Sequence, residues 1–473
     1  MRNPGMNTKN YDFDVLIIGG GPGGYVAAIR AAQKGLKTGV IEKDALGGIC
    51  LNWGCIPTKA LLKNAEIIHY YQRSEEFGFV IKNYSFNFIK IIQRSREIAD
   101  LNSRGVDFLF KKNKVEHIPG TGSLSDEHTV SVKDAKGKQI KKISGDKIII
   151  ATGGRARSFP KVDFDGKKIL SYKEAMILKN PPKKLVIVGA GAIGVEFAYF
   201  YNSFGTEVHL IEMLPQILPI EDEEIVRQLE RSFKKQGINI YTNARVENLH
   251  KAKQGIKVTL SVNGKKQDIE GDVALVAIGI LGNVENLGLE KLGIEVEKNS
   301  IKVNKFYQTK VPNIYAIGDV IGAPWLAHVA SHEGIIAVDH LRGANPHPMD
   351  YSNVPGCTYC QPQVASIGLT EKKAREAGYE LKIGKFPFRA SGKARAIGEI
   401  EGMVKLIFDA KYGELLGAHI LGSEATEMIA ELGMAKTLET TNFEIQHTVH
   451  AHPTLSEAVM EAAGDAVGEA IHI

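Results

Sequence analysis

Cys50 and Cys55 are two of only four cysteines in 473 residues, and both lie in one short stretch, GGICLNWGCIPTKALL. Thiols this close together suit a redox-active disulfide, a structural disulfide, or two inert buried thiols. Zinc fits poorly, because no second ligand pair has matching spacing, and no metal site is expected. An ideal helix sets Cα atoms five residues apart at about 8–9 Å. A disulfide spans less than roughly 7 Å. A bond between these sulfurs therefore requires distorted helix, and Gly54 and Pro57 make that distortion feasible before TKALLKNAEIIHYYQ continues as helix. A helix N-terminus also favours thiolate over thiol.

A candidate base lies near the other end of the chain. HTVHAHPTLSEAVMEAA holds His447, His450 and His452, then Glu457 about one helical turn beyond His452-Pro453. A carboxylate within reach fixes an imidazole's tautomer and raises its basicity. Taken singly, a histidine is more often a packing or surface residue.

The elements that must position these groups are readable nearby. In FDVLIIGGGPGGYVAAIRAAQKGLKTGVIEK, an apolar run leads into Gly19, Gly21 and Gly24, then a helix-like stretch to Gly35, then TGVI and Glu42. This is strand, Gly-rich turn, helix, strand, acid. Gly19 permits the tight turn, Gly21 lets backbone approach a pyrophosphate, and Gly24 lets helix and strand pack closely. The helix N-terminus attracts phosphate, and Glu42 can accept from ribose hydroxyls. KLVIVGAGAIGVEFAYFYNSFGTEVHLIEM repeats the plan with Gly189, Gly191, Gly194 and Glu212, and 23 residues separate first glycine from acid in both copies. Two matched units imply two dinucleotides. Glu212 favours the free 2′-hydroxyl of NAD over the 2′-phosphate of NADP.

KIIIATGG and VALVAIGILGN read as apolar strands running into glycine turns, and VPNIYAIGDV as a strand ending at Gly318-Asp319. Asp319 caps a following helix or binds a cofactor hydroxyl. Cys50 lies eight residues after Glu42, so a flavin on the first unit could lie against the cysteine pair.

The bulk numbers exclude other classes. The length implies two to four domains. A formal charge of +5 is small for this length, and KKNK and KGKQIKK read as solvated turns, so no nucleic-acid partner is expected. The uncharged stretch between Asp14 and Arg30 is Gly-rich and too short to span a membrane. MRNPGMNTKN lacks the apolar segment of a signal peptide. Four cysteines do not make a secreted disulfide framework, so the cytoplasm is expected.

Taken together, these motifs resemble the flavoprotein disulfide reductases, the class I pyridine nucleotide-disulfide oxidoreductases, and within them the dihydrolipoamide-oxidising branch. The resemblance covers nearly the whole chain. GGICLNWGCIPTKALL looks like that family's redox-disulfide motif, TKVPNIYAIGDV like its second FAD motif, and HTVHAHPTLSEA like its histidine–glutamate motif. It implies an α/β fold with two Rossmann-like dinucleotide-binding domains and a C-terminal α+β interface domain. The FAD domain would span 1–153 and 281–350, the NAD domain 154–280, and the dimerisation domain 351–473. FAD would lie on the Gly19 unit with Glu42 on its ribose, and Lys59, Gly122, Asp319 and the Ala327 backbone would contact it. Lys59 would alternatively pair with Glu196 beside the flavin. NAD would lie on the Gly189 unit with Glu212, completed by Val246 and the turn at Gly279. Cys50 would exchange with dihydrolipoamide, Cys55 would face the flavin, and His452 with Glu457 would act as base in a homodimer. The dithiol would come from the lipoyl domain of a 2-oxo acid dehydrogenase complex or from the H protein of the glycine cleavage system.

Relatives and alternatives remain distinguishable. Glutathione reductase prefers NADPH and carries basic residues where Glu212 stands. GEAIHI carries no extra cysteine pair of the mercuric reductase or large thioredoxin reductase kind, and no N-terminal lipoyl domain is expected. A flavin-bearing subunit without turnover would not need Cys50, Cys55 and His452. Cys357 and Cys360 in GCTYCQPQVASIGL form a second pair, read as two reduced cysteines near a strand start rather than as a zinc half-site or second redox centre.

Overall fold

The structure is a computed structural model that describes residues 11–262 and 264–473. The signal-peptide reading of residues 1–10 falls outside the described residues. The chain forms two compact units: residues up to 58 with 93–157 and 279–349, and residues 59–92 with 158–278 and 350–473.

In the first unit, strand Phe13–Ile18 pairs in parallel with Thr38–Glu42 on one side and with the second half of Gln139–Ile150 on the other. Glu116–Pro119 and Ile314–Ala316 extend the parallel sheet at its two ends. Side chains alternate across it. Val15 and Ile17 pack with Ala27, Ala31 and Ala337 on one face. Leu16 and Ile18 pack with Ile41, Ile148 and Ile150 on the other. Burial on both faces is why these strands read as unbroken apolar runs. The first half of Gln139–Ile150 leaves this sheet and pairs antiparallel with Thr129–Lys133. Helix Pro22–Gln33 meets helix Ala327–Leu341 through glycine: a Cβ on Gly334 would stand 2.8 Å from the Gly23 carbonyl oxygen. Arg30 fixes the same contact with two bonds to Asp339, 3.0 and 2.7 Å.

The second unit repeats the parallel plan with Asn239–Tyr241, Glu207–Ile211, Lys184–Val188, Val273–Val276 and Ile169–Leu170, in that order. A three-stranded antiparallel sheet, Ala244–Lys251, Ile256–Val262 and Lys265–Gly271, precedes the return strand. The same unit carries a five-stranded antiparallel sheet ordered 356–358, 363–368, 415–422, 403–409, 381–387. Helices Ala425–Thr437 and Glu457–Asp465 pack on it around Phe388, Phe408, Leu432 and Val459. The expected fold class is what is observed: two dinucleotide folds and a C-terminal α+β layer. No helix among the described residues is long and apolar enough to cross a membrane.

Candidate active site and nucleotide frames

Each glycine of the two frames answers a measurable demand. Gly19 sits at φ 110° and Gly189 at φ 100°, where a side chain is strained, and a Cβ would lie 2.2 Å from Ala151 O and 2.4 Å from Ala277 O respectively. A Cβ on Gly24 would stand 1.9 Å from Gly19 O, and one on Gly194 2.0 Å from Gly189 O. The middle glycines differ in kind. Around Gly191 the Cβ position is open, and around Gly21 the nearest atom is Gly48 Cα at 3.8 Å. Gly21 and Gly191 are also the N-cap residues of helices Pro22–Gln33 and Ala192–Ser203. Open space over helix N–H groups is the cradle a pyrophosphate needs, so both frames fit a dinucleotide.

The acids close the frames identically. Glu42 accepts from Gly20 N–H at 2.7 Å and Asp44 N–H at 2.9 Å. Glu212 accepts from Ala190 N–H and Leu214 N–H, both at 2.9 Å. Both helices end in the same hydrogen-bonded glycine motif, Gly35→Ala32 with Leu36→Ala31 and Gly205→Asn202 with Thr206→Tyr201. Gly35, where the sequence ends its helix-like stretch, is the residue after the helix cap Lys34.

The cysteines sit on a broken helix. Gly48–Trp53 ends at Gly54, whose φ and ψ of −137° and −116° are not helical, and Cys55 opens the next helix, Cys55–Gln72. Cys50 is half-buried and Cys55 exposed. Asn52 anchors the first turn by donating to Leu46 O and Gly48 O at 3.0 and 2.9 Å. Arg96 donates to Asn52 O and lies 4.5 Å over the Trp53 ring. Gly122 lies on strand Thr121–Leu124, and Ala327 opens its helix. Asp319 lies inside a short 3₁₀ turn, Gly318–Ile321, while Leu326 holds the N-cap position of the following helix. Of the two readings of Asp319, the structure excludes the helix cap. Burial pushes its carboxyl up to about 6, with the Glu333 charge adding to the effect. Glu333 itself accepts the Gly318 N–H at 2.6 Å.

In the second unit, Lys59 pairs with Glu196 through both carboxylate oxygens, at 2.9 and 3.0 Å. His452 Nδ1 lies 2.8 Å from Glu457 Oε1, and Glu457 Oε2 accepts Thr454 N–H at 2.8 Å. Burial pushes the Glu457 carboxyl up, but the Thr454 N–H and the His452 ring outweigh it and hold it below its ordinary value. A parallel pair stands beside it: His450 Nε2 lies 2.6 Å from Glu431 Oε1, and that contact raises the imidazole against the opposing effect of burial. Val246 is half-buried on strand Ala244–Lys251, next to a register shift. Gly279, at φ 120°, belongs to the first unit and accepts Arg157 N–H at 3.0 Å. The structure thus brings Lys59 to Glu196 and His452 to Glu457. The cysteines lie in the first unit and the histidine–glutamate pair in the second.

Cys357 lies in the short strand Gly356–Thr358, and Cys360 is fully buried with its thiol donating to Pro362 O at 3.1 Å. Burial raises both thiols, Cys357 to about 11, so neither is poised as thiolate. Sequence reasoning missed Tyr359 between them, whose N–H donates to Glu196 Oε1 at 3.0 Å. It also missed Glu333, Arg96 and Glu431. Their partners are distant in sequence, and no spacing announces them.

The family described as pyridine nucleotide-disulphide oxidoreductase matches residues 13–334, and its dimerisation domain matches residues 354–463. The chain is 50% identical to a dihydrolipoyl dehydrogenase of Zymomonas mobilis over 97% of this chain and 99% of that one. It is 45% identical to a dihydrolipoyl dehydrogenase of Bacillus subtilis over 98% and 99%. Among solved structures it is similar to LpdA of Mycobacterium tuberculosis, with TM-score 0.88 at 28% identity over 95% of this chain and 98% of that one.

Proposed function

The chain belongs to the pyridine nucleotide-disulphide oxidoreductase family, and on that premise we propose that it is a dihydrolipoyl dehydrogenase. It reoxidises protein-bound dihydrolipoamide, with FAD and NAD as cofactors. The observation that carries this is the placement of the cysteine helix. Gly47 N–H donates to Gly20 O at 2.8 Å, so the turn bearing Cys50 starts from the backbone of the first nucleotide frame. FAD belongs on that frame and NAD on the second. The FAD domain takes residues 1–153 and 281–350, the NAD domain 154–280 and the interface domain 351–473. Glu42 and Glu212 meet the two adenosine riboses. Lys59, Gly122, Asp319 and Ala327 complete the FAD site, and Val246 and Gly279 the NAD site.

The protein's own groups do the following. Glu457 holds His452 through Nδ1, which leaves Nε2 as the atom that takes a proton from the substrate dithiol. The substrate thiolate attacks Cys50 Sγ, the Cys50–Cys55 bond of the oxidised enzyme breaks, and Cys55 leaves as thiolate. The second substrate thiolate then displaces Cys50, so the substrate leaves as a disulfide and the enzyme keeps two electrons as a reduced pair. When bound, FAD and NAD supply the relay by which that electron pair leaves as hydride. The dimerisation domain makes the molecule a homodimer, and each site joins Cys50 of one protomer to His452 of the other. The dithiol is carried by a lipoyl domain of a 2-oxo acid dehydrogenase complex or by a glycine cleavage H protein, in the cytoplasm.

Complementation tests the shared site. Cys50→Ala and His452→Ala homodimers should each be nearly inactive. After unfolding, mixing and refolding, one site of each mixed dimer is intact. Activity should return to about a quarter of wild type if half the dimers are mixed. Mixed dimers that form and stay inactive would place His452 with its own chain's Cys50.

A further inference from the structure

Tyr359 touches both members of the Lys59–Glu196 pair at once. Its ring centroid lies 4.2 Å from Lys59 Nζ, and its backbone N–H donates to Glu196 Oε1 at 3.0 Å. The three residues come from separate segments: helix Cys55–Gln72, helix Ala192–Ser203, and the turn after strand Gly356–Thr358. The Glu196 side chain is 7% exposed and that of Lys59 31%, so the carboxylate is fixed and the ammonium is the member with room to move. A lysine stem has four rotatable bonds, and a carboxylate alone attracts the ammonium without setting its direction. An aromatic face adds a second negative surface on a defined side. The N–H on Oε1 also stops the carboxylate from turning to follow the lysine. The turn that carries Tyr359 is itself held, by the Cys360 thiol on Pro362 O and by Gln363 Oε1 accepting from Thr426 N–H and Oγ1–H at 3.1 and 2.9 Å.

We propose that Tyr359 is a positioning residue for the redox relay: together with Glu196 it fixes the Lys59 ammonium, and through Lys59 it sets how readily the bound flavin is reduced. The second half of this statement rests on the functional reading above, in which Lys59 stands at the FAD. A cation fixed beside a flavin favours the reduced, more negative form, and a wandering cation favours it less.

The test uses the holoenzyme with two readouts other than turnover. One is the midpoint potential of bound FAD, followed by visible absorbance. The other is the rate of Lys59 reductive methylation, followed by mass spectrometry. Tyr359→Phe keeps the ring and the N–H and should match wild type in both. Tyr359→Leu should make flavin reduction about three- to fivefold less favourable, which is about 14 to 21 mV at 29.6 mV per tenfold, and should speed Lys59 methylation by a similar factor. Tyr359→Met serves the same purpose should the leucine variant fold poorly. Lys59→Met should lower the potential further, and adding Tyr359→Leu to it should change nothing more. A full additional shift in that double variant, or a phenylalanine variant as altered as the leucine one, overturns the positioning role. Unchanged methylation in Tyr359→Leu with the Lys59→Met shift intact removes Tyr359 alone. An unchanged potential in Lys59→Met removes the placement of Lys59 at the flavin, and the proposed consequence with it.

Discussion

In the first nucleotide frame, Gly47 N–H donates to Gly20 O at 2.8 Å, and in the second, Leu218 N–H donates to Ala190 O at the same distance. Up to that bond the two regions share glycines, helix ends and acid. Beyond it they part. The second frame runs into helix Glu223–Lys235 and rejoins its sheet at Asn239–Tyr241. The first runs into the cysteine helices, then Phe88–Asn113, and rejoins only at Glu116–Pro119. A second difference lies inside the helices. Gly23 admits helix Ala327–Leu341 against the first frame, whereas its counterpart Ile193 is 36% exposed. A nucleotide-binding frame therefore fixes where a cofactor lies, and the crossover hung from it decides what chemistry meets that cofactor.

The largest expected effect breaks the comparison at the crossover. Cys50→Ser and Cys55→Ser should each bring dihydrolipoamide oxidation down to background with FAD content unchanged. A parallel fall in bound FAD would mean that the crossover is part of the frame. The next effect concerns the acids. NAD should be preferred over NADP by on the order of a hundredfold in kcat/KM, because a phosphate against a carboxylate is repelled by roughly a few kcal/mol in a partly screened site. Glu212→Arg should erase that preference, and Glu42→Arg should leave it alone. Equal preference in the wild type would show that Glu212 is not at the ribose.

Smaller shifts are expected from the packing glycines. A Cβ at Gly194 or Gly24 meets a carbonyl oxygen at about the same distance, 2.0 and 1.9 Å, so each alanine forces strand and helix apart. Overpacking of this kind costs about 1–3 kcal/mol. Gly194→Ala should weaken NADH binding roughly tenfold with FAD retained, and Gly24→Ala should weaken FAD retention instead. Titration of NADH in the variant and of FAD in the apoprotein separates them. Loss of both cofactors from either change would show that the frames are not independent.

The frames were legible because each of their residues answers a local steric rule. Gly19 needs positive φ, Gly24 needs no Cβ, and Gly35 ends a helix, and all three demands lie within one supersecondary unit. The broken cysteine helix was legible for the same reason, through Gly54. Asp319 shows where local reasoning stops. Its position before a helix left a cap open as one of two readings, but seven residues intervene before that helix begins at Ala327, and Asp319 sits in a 3₁₀ turn whose Gly318 N–H is taken by Glu333. Lys405 shows the same limit. In sequence it is one more lysine, yet it is 1% exposed and bonded to Asp222 at 2.9 Å and Glu371 at 2.8 Å. Such partners are set by how distant segments pack, as with Tyr359 and Glu196.

The smallest expected effect sharpens the contrast between the crossovers by pH. Where the first crossover begins with exposed Lys43 and Asp44, the second passes through Glu221, which is 8% exposed and whose Oε2 has no hydrogen-bond partner among the described residues. Burial, with the neighbouring Asp222 charge, raises the Glu221 carboxyl from 4.5 to about 7. The folded chain then holds this proton more tightly than the unfolded chain does. Stability therefore falls as pH rises from about 4.5 to about 7. Asp222 acts in a different window. Burial opposes its ionisation, but the charges of His419 and Lys405 and the bond to Lys405 hold its carboxyl below 3.8, so its contribution is lost only in stronger acid. Glu221→Gln should therefore flatten the decline in Tm between pH 5 and pH 8 by a few degrees, and the exposed control Asp44→Asn should not. Parallel Tm profiles for wild type and Glu221→Gln would mean that water reaches this carboxylate, and that its burial does not set it apart from the exposed Asp44.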